Sequence, residues 1–159
     1  YACVDGGTDL DVATALTAKK SGGCAYNNGA SGDPVTQPVT QSISGQTIDV
    51  LFDRPDIIEI LARATIRSTG AVQDPESLVK QAILDYCNGQ LDGEPGLVVG
   101  ASVSPFELAG AVNREQPTIY VQKMEISLAS PVSYQTTEIP IELWEKARIS
   151  EGSISVIIL

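Results

Sequence analysis

At 159 residues, with 43% apolar and 19% charged side chains, the chain has the size of one domain or two small lobes and the composition of a globular protein. Folded, it would bury about 70% of the surface its extended form exposes, enough for a core without crosslinks. Ten Lys and Arg against twenty Asp and Glu leave a net charge of −10, a balance that repels a phosphate backbone, so nucleic acid is not an expected partner. Histidine is absent, which removes Ser-His-Asp triads, Cys-His pairs and His-ligated metals from this chain. No apolar run reaches the roughly 20 residues of a spanning helix, so no membrane partner is expected either.

The chain begins at Tyr1 with no initiator Met, basic region or apolar leader, and is expected to be part of a longer protein. Residues 1–4 suit a short strand. Asp5-Gly6-Gly7 then turns into a helix with Thr8 as N-cap, Asp11 as the acid of its capping box, and Val12, Ala13, Ala15 and Leu16 as its buried stripe; Gly22-Gly23 ends it. Asp5, Asp9 and Asp11 form an acidic cluster without the spacing or the distal Glu of a calcium loop. Acids in a first turn are accounted for by the helix dipole, so no metal is expected.

Residues 26–38, rich in Asn, Gly, Ser, Pro and Thr, read as a surface loop. Stretches 39–44 and 47–52 flank Gly45 as a hairpin with Ile43, Ile48, Val50 and Phe52 available to one face, and Asp53-Arg54-Pro55 closes it, Pro55 marking a strand edge or a change of sheet. From 57 to 68 the chain alternates, with Ile58, Ile60, Ala62, Ala64 and Ile66 on one side and Glu59, Leu61, Arg63, Thr65 and Arg67 on the other. Asp74-Pro75-Glu76 starts a helix with Leu78, Val79, Ala82, Ile83, Tyr86 and Cys87 at helical spacing and Gly89 past its end. A turn at 92–96 and a short segment at 97–103 lead to Ser104-Pro105-Phe106-Glu107, a second capping box, with Phe106, Ala109 and Val112 facing inward. A strand follows at 119–128. The remainder reads as a strand at 138–143, a polar turn at 145–152 and an apolar strand at 153–159 that must be paired or covered.

The class is α+β: a split β-α-α-β unit with helices on one face of a sheet, plus an N-terminal helix and hairpin lobe and C-terminal strands. The division falls at 1–56 and 57–159, or the two form one continuous domain. The polar side carrying Glu59, Arg63 and Arg67 is expected to face water or a partner.

Catalytic, cofactor-binding and metal residues are not expected, and the chain is read as a non-enzyme. The glycine-rich stretches match neither phosphate-binding pattern, and carboxylate pairs such as Glu142 and Glu145 lie on polar turns. Cys3, Cys24 and Cys87 have no CxxC spacing and read as three reduced thiols. The alternative is a non-catalytic ligand- or glycan-binding module of a tail or surface protein. With one Trp, five Tyr and two Phe, the aromatic platform such a site wants reduces to Trp144, which suits the edge of a core equally well.

The order of these motifs resembles the baseplate J-like family of contractile-tailed phages. GGTDLDVATALTAKKSGGCAYNNG is similar to its acidic turn, helix and Gly-rich exit, LFDRPDIIEILARATI to its strand after an F-x-R-P corner, DPESLVKQAILDYCNGQLDGEPG with VSPFELAGAV to its two helices, and EIPIELWEKARISEGSISVIIL to its closing strands. The resemblance implies the C-terminal part of a baseplate wedge protein, made in the host bacterial cytoplasm and located in the virion tail baseplate. Other wedge proteins and copies of the chain itself would be its partners, in a homo-oligomeric ring, and no catalytic residue carries over. The polar 27–38 loop is richer than the family's pattern.

Overall fold

Two kinds of local signal, alternation in the strands and caps at the helices, organise two separate cores. The computed structural model describes all residues except Gly22, Ala30, Ile43, Thr69 and Ala71. In chain order the elements are α1 (Asp9–Lys19), β1 (Asp33–Thr40), β2 (Thr47–Arg54), β3 (Asp56–Ser68), α2 (Pro75–Cys87), α3 (Pro105–Glu115), β4 (Ile119–Leu128), β5 (Glu145–Arg148), a 3-10 turn at Glu151–Ser153 and β6 (Ile154–Ile158). The fold is α+β, with one two-stranded and one four-stranded sheet. The chain divides into a first unit of Tyr1–Asp56 with Leu143–Glu145 and a second of Ile57–Glu142 with Lys146–Leu159.

In the first unit α1 begins as its cap predicts, the Thr8 hydroxyl oxygen accepting from the Asp11 N–H at 3.2 Å and the hydroxyl donating to its carboxylate at 2.7 Å. Only Ala13 of its stripe is fully buried; Val12 and Leu16 are half-buried and Ala15 is exposed. The expected loop at 26–38 is half strand. Asp33–Thr40 pairs antiparallel with Thr47–Arg54, and Pro34 and Pro38 are accommodated because a two-stranded sheet has only edges, where a missing N–H is tolerated. Strand β1 therefore starts earlier than the hairpin read at 39–44 and stops at Thr40; Ile43 lies outside the described residues. Residues 1–4 form a single bridge rather than a strand, Asp53 N–H donating to Ala2 O and Val4 N–H to Asp53 O, both at 2.9 Å. Val39, Val50, Phe52 and Ala13 make this unit's core.

Pro55 separates β2 from β3, and the chain changes sheet there. Strand β3 alternates as read: Ile60, Ala62, Ala64 and Ile66 are fully buried. It pairs antiparallel with β4, from Ile60 beside Leu128 to Ser68 beside Ile119, with a bulge at Gln122 where Thr65 faces Lys123 and Ile66 faces Val121. Its opposite edge is shared by β5 and by β6, the latter parallel, with Ala62 beside Ile154. Helices α2 and α3 cover the apolar face through Val79, Ile83, Leu108 and Val112.

Helix α2 is capped by the Asp74 side chain, which accepts from the Ser77 N–H at 3.2 Å, while Asp74 itself is in the left-handed region at φ 48°. It stops at a tight crossing of two glycines. Gly89 has φ +66° and Gly96 φ +74°, and a Cβ on Gly96 would lie 2.5 Å from the Gly89 nitrogen, so the 92–96 turn closes against the helix end only with glycine in place.

Four sequence expectations fail here. Ser104 stands at the N-cap of α3 without a side-chain cap bond, and the helix buries Pro105, Leu108, Ala111 and Val112 instead of turning Phe106 inward. With Pro105 in the core the stripe starts one residue earlier, and Phe106 is left 77% exposed. Residues 138–143 hold one bridge, Ile139 to Val103, and no strand. The polar turn read at 145–152 contains β5, whose charged residues flank the buried Ala147; short charged strands of this kind are how sheet edges are kept from pairing further.

The Asp74 cap carries a graded test by urea denaturation. Asp74→Asn keeps both the acceptor and tolerance of positive φ and should be nearly neutral, Asp74→Gly should lose a few tenths of a kcal/mol, and Asp74→Ala should lose about 1–3 kcal/mol through cap loss and backbone strain together. An alanine variant as stable as the glycine variant would contradict the left-handed cap.

Candidate functional site

The outward side of the β3–β4 sheet was expected to face water or a partner, and much of it is closed by the chain itself. Arg63 pairs with Glu125 at 3.0 Å across the register, Lys123 reaches the other oxygen of Glu125 at 2.8 Å, and the Arg63 guanidinium lies 3.9 Å from the Tyr134 ring centroid. The Ser133 N–H donates to Ser127 Oγ at 2.7 Å, and Gln135 bridges Ile126, so residues 133–135 lie along β4 and Ser127 and Glu125 are buried on what reads as the polar side. Arg148 of β5 pairs with Glu59. These contacts hold the Glu125 carboxyl below its ordinary pKa of 4.5, chiefly by its bond to Lys123 and then by Arg63, against the opposing effect of burial.

Beside this face, α3 and β4 border a mainly apolar groove of about 260 Å³ lined by Pro105, Phe106, Ala109, Val121, Met124 and Thr136 together with Gln122 and Lys123. A smaller polar hollow of about 230 Å³ lies between α2, α3 and the 91–94 turn. There the Tyr86 hydroxyl donates to Glu107 at 2.7 Å, and burial followed by that bond pushes its pKa well above 10. Glu107, read as the capping-box acid, is used here instead.

In the first unit, the strongest polar assembly is one that the sequence reading treated only as the end of a hairpin. Every guanidinium donor of Arg54 is engaged: Nε and Nη2 on Asp9, Nη1 on Val4 O at 2.9 Å and Gly6 O at 2.7 Å, and Nη2 also on Gly7 O at 2.9 Å. Asp53, fully buried, accepts the Gly29 N–H on both carboxylate oxygens, at 2.9 and 3.2 Å. Asp53 falls on the same face of β2 as Asp49 and Leu51, opposite Ile48, Val50 and Phe52, so the alternation gave no signal of its burial.

In the acidic cluster, Asp9 is engaged by Arg54 and Asp11 by Thr8. Among the described residues no group of three or more Cys, Asp or Glu is placed to hold a metal ion. Glu142 and Glu145 fall in different units. Trp144 is half-buried in the turn before β5, where its carbonyl accepts the Asp56 N–H at 3.0 Å. The three cysteines are unbonded, with Cys24 exposed and Cys3 and Cys87 half-buried; burial raises the Cys3 thiol pKa and pushes that of Cys87 up to about 12. Among the described residues no helix is long and apolar enough to cross a membrane. No protein-family model and no curated protein matches the sequence.

Two measurements follow from these groups. A carboxyl whose pKa is depressed on folding contributes stability that is present above its unfolded pKa and lost as the pH falls through the folded value, so wild type should lose stability on acidification below about 4.5 more steeply than Glu125→Gln. Parallel acid limbs in denaturation curves would contradict the Glu125 pairing. Titration with a disulfide reagent at about pH 8, near the ordinary thiol pKa, should give one fast thiol, Cys24, and two that react only slowly or on unfolding. Three equally fast thiols would contradict the burial of Cys87.

Proposed function

We propose that the chain is a non-catalytic structural subunit of the baseplate wedge of a contractile-tailed phage or a related tail-like particle, acting through contacts with other wedge proteins and with copies of itself. The support begins with the order of elements: an acidic turn and helix, a hairpin ending in Phe52-Asp53-Arg54-Pro55, a long strand, two helices joined by an acidic Gly turn, and closing strands. The single observation that carries the assembly reading is Phe106. It stands 77% exposed on the rim of an apolar groove, in a helix whose Pro105, Leu108, Ala111 and Val112 are buried and whose Ala109 is half-buried. A large aromatic left outside a well-packed helix suits a protein surface that is covered in an assembly.

Antibody raised against the chain should label the baseplate end of contractile tail particles from the source cells in electron micrographs. Phe106→Ser, at an exposed position, should change stability by no more than about 0.5 kcal/mol yet reduce incorporation into those particles. Labelling elsewhere on the cell, or normal incorporation of the serine variant, would overturn the proposal in its first and second parts respectively.

A further inference from the structure

The first unit carries a local reversal of charge. Of its three bases, Arg54 is committed to Asp9, whereas Lys19 and Lys20, at the end of α1, are exposed and form no ion pair among the described residues. Both lysines line a groove of about 220 Å³ together with Tyr26, Asn27 and the aliphatic side chains of Leu16 and Leu51, and no carboxylate lines it. In a chain of net charge −10, two adjacent cations without a carboxylate partner over an aliphatic floor are a feature that composition alone would not produce.

We infer that this groove is a docking site for an acidic protein segment, an extended stretch that sets carboxylates against Lys19 and Lys20 and an aliphatic side chain against Leu16 and Leu51. Charge complementarity selects the acidic partner, and the apolar floor selects a peptide over a free anion. A sugar fits less well, because the ring faces and hydroxyls it would use are engaged. Lys20 Nζ lies 4.7 Å from the Tyr26 ring centroid, the Tyr26 hydroxyl donates to Thr17 Oγ1 at 3.3 Å, and the Tyr1 hydroxyl donates to Ser31 O at 2.7 Å. The molecule's overall negative field opposes an acidic partner at a distance. At physiological salt that field is screened beyond about 8 Å, while contacts made within that distance in the groove are weakened less. The inference concerns a different surface from Phe106 and does not depend on the baseplate reading.

The test uses the full chain and fluorescence anisotropy with a labelled hexapeptide of alternating glutamate and leucine, at an ionic strength of about 0.15 M. Saturable binding is expected. The double variant Lys19→Gln, Lys20→Gln should weaken it at least about tenfold, a loss of about 1.4 kcal/mol. Arg67→Gln removes an exposed cation from the second unit and should leave binding unchanged, which separates the groove from net charge. Both variants alter exposed side chains, and circular dichroism melts should match wild type. The inference is overturned by an absence of saturable binding, by equal binding of the glutamine-for-glutamate peptide, by an equal loss in Arg67→Gln, or by preferential competition from an oligouronate, which would make the groove a glycan site.

Discussion

Strand β3 is the constraint on which the second unit depends. It is bonded to β4 along one edge and to β5 and β6 along the other, so three strands take their register from its thirteen residues. Its buried face is made of small and branched side chains, Ile60, Ala62, Ala64 and Ile66, and the two alanines leave room for helices α2 and α3 to approach the sheet. Shifting β3 by one residue would exchange that face for Glu59, Leu61, Arg63, Thr65 and Arg67, so the register tolerates no slip. The pairing of Arg63 with Glu125, and of Glu59 with Arg148, fixes the same register from the outer side.

The Phe52-Asp53-Arg54-Pro55 corner does the corresponding work in the first unit. Phe52 fills the core, and the Arg54 guanidinium lies 5.2 Å from its ring centroid. Asp53 holds the Gly29 amide, and Arg54 gathers three carbonyls from the turn before α1 and the carboxylate of Asp9 at the start of that helix. A polar group buried as fully as the Asp53 carboxyl is costly without a partner, and here the Gly29 N–H is shared between its two oxygens. Lysine in place of Arg54 would keep the charge and lose the planar five-donor geometry that ties the turn together. Proline next in the chain then withholds a donor, so β2 cannot simply run on into β3 as one ladder.

Much of the fold was legible because strong signals were local. Thr8, Asp74 and Gly89 mark helix ends by chemistry confined to a few residues, and β3 and β4 announce themselves by alternation or by length. What was missed depended on partners distant in sequence. Residues 33–38 look like a loop until β2 supplies an antiparallel edge that accepts their prolines, and 145–148 looks like a polar turn until β3 gives Ala147 a core to enter. Phe106 was placed inward because its own helix permits two stripes, and only the burial of Pro105 decides between them. At the sites, single residues gave little warning. Lys19 and Lys20 are unremarkable in sequence and become a feature only when Tyr26 and Leu51 are brought beside them.

The parallel pairing of β3 with β6 has a consequence for the order in which the molecule is made. Both strands flanking β3 on that edge come from the last part of the chain, whereas β4 and both helices are available well before them. During synthesis β3 therefore waits with one complete edge of backbone donors and acceptors unmet. A long-range parallel contact also forms slowly, because the intervening chain must be closed before it gains any bond. The nascent chain passes through a state with a helix-covered, two-stranded sheet of β3 and β4 that lacks its final border, and that state is the one most prone to pairing with a neighbour on the same polysome.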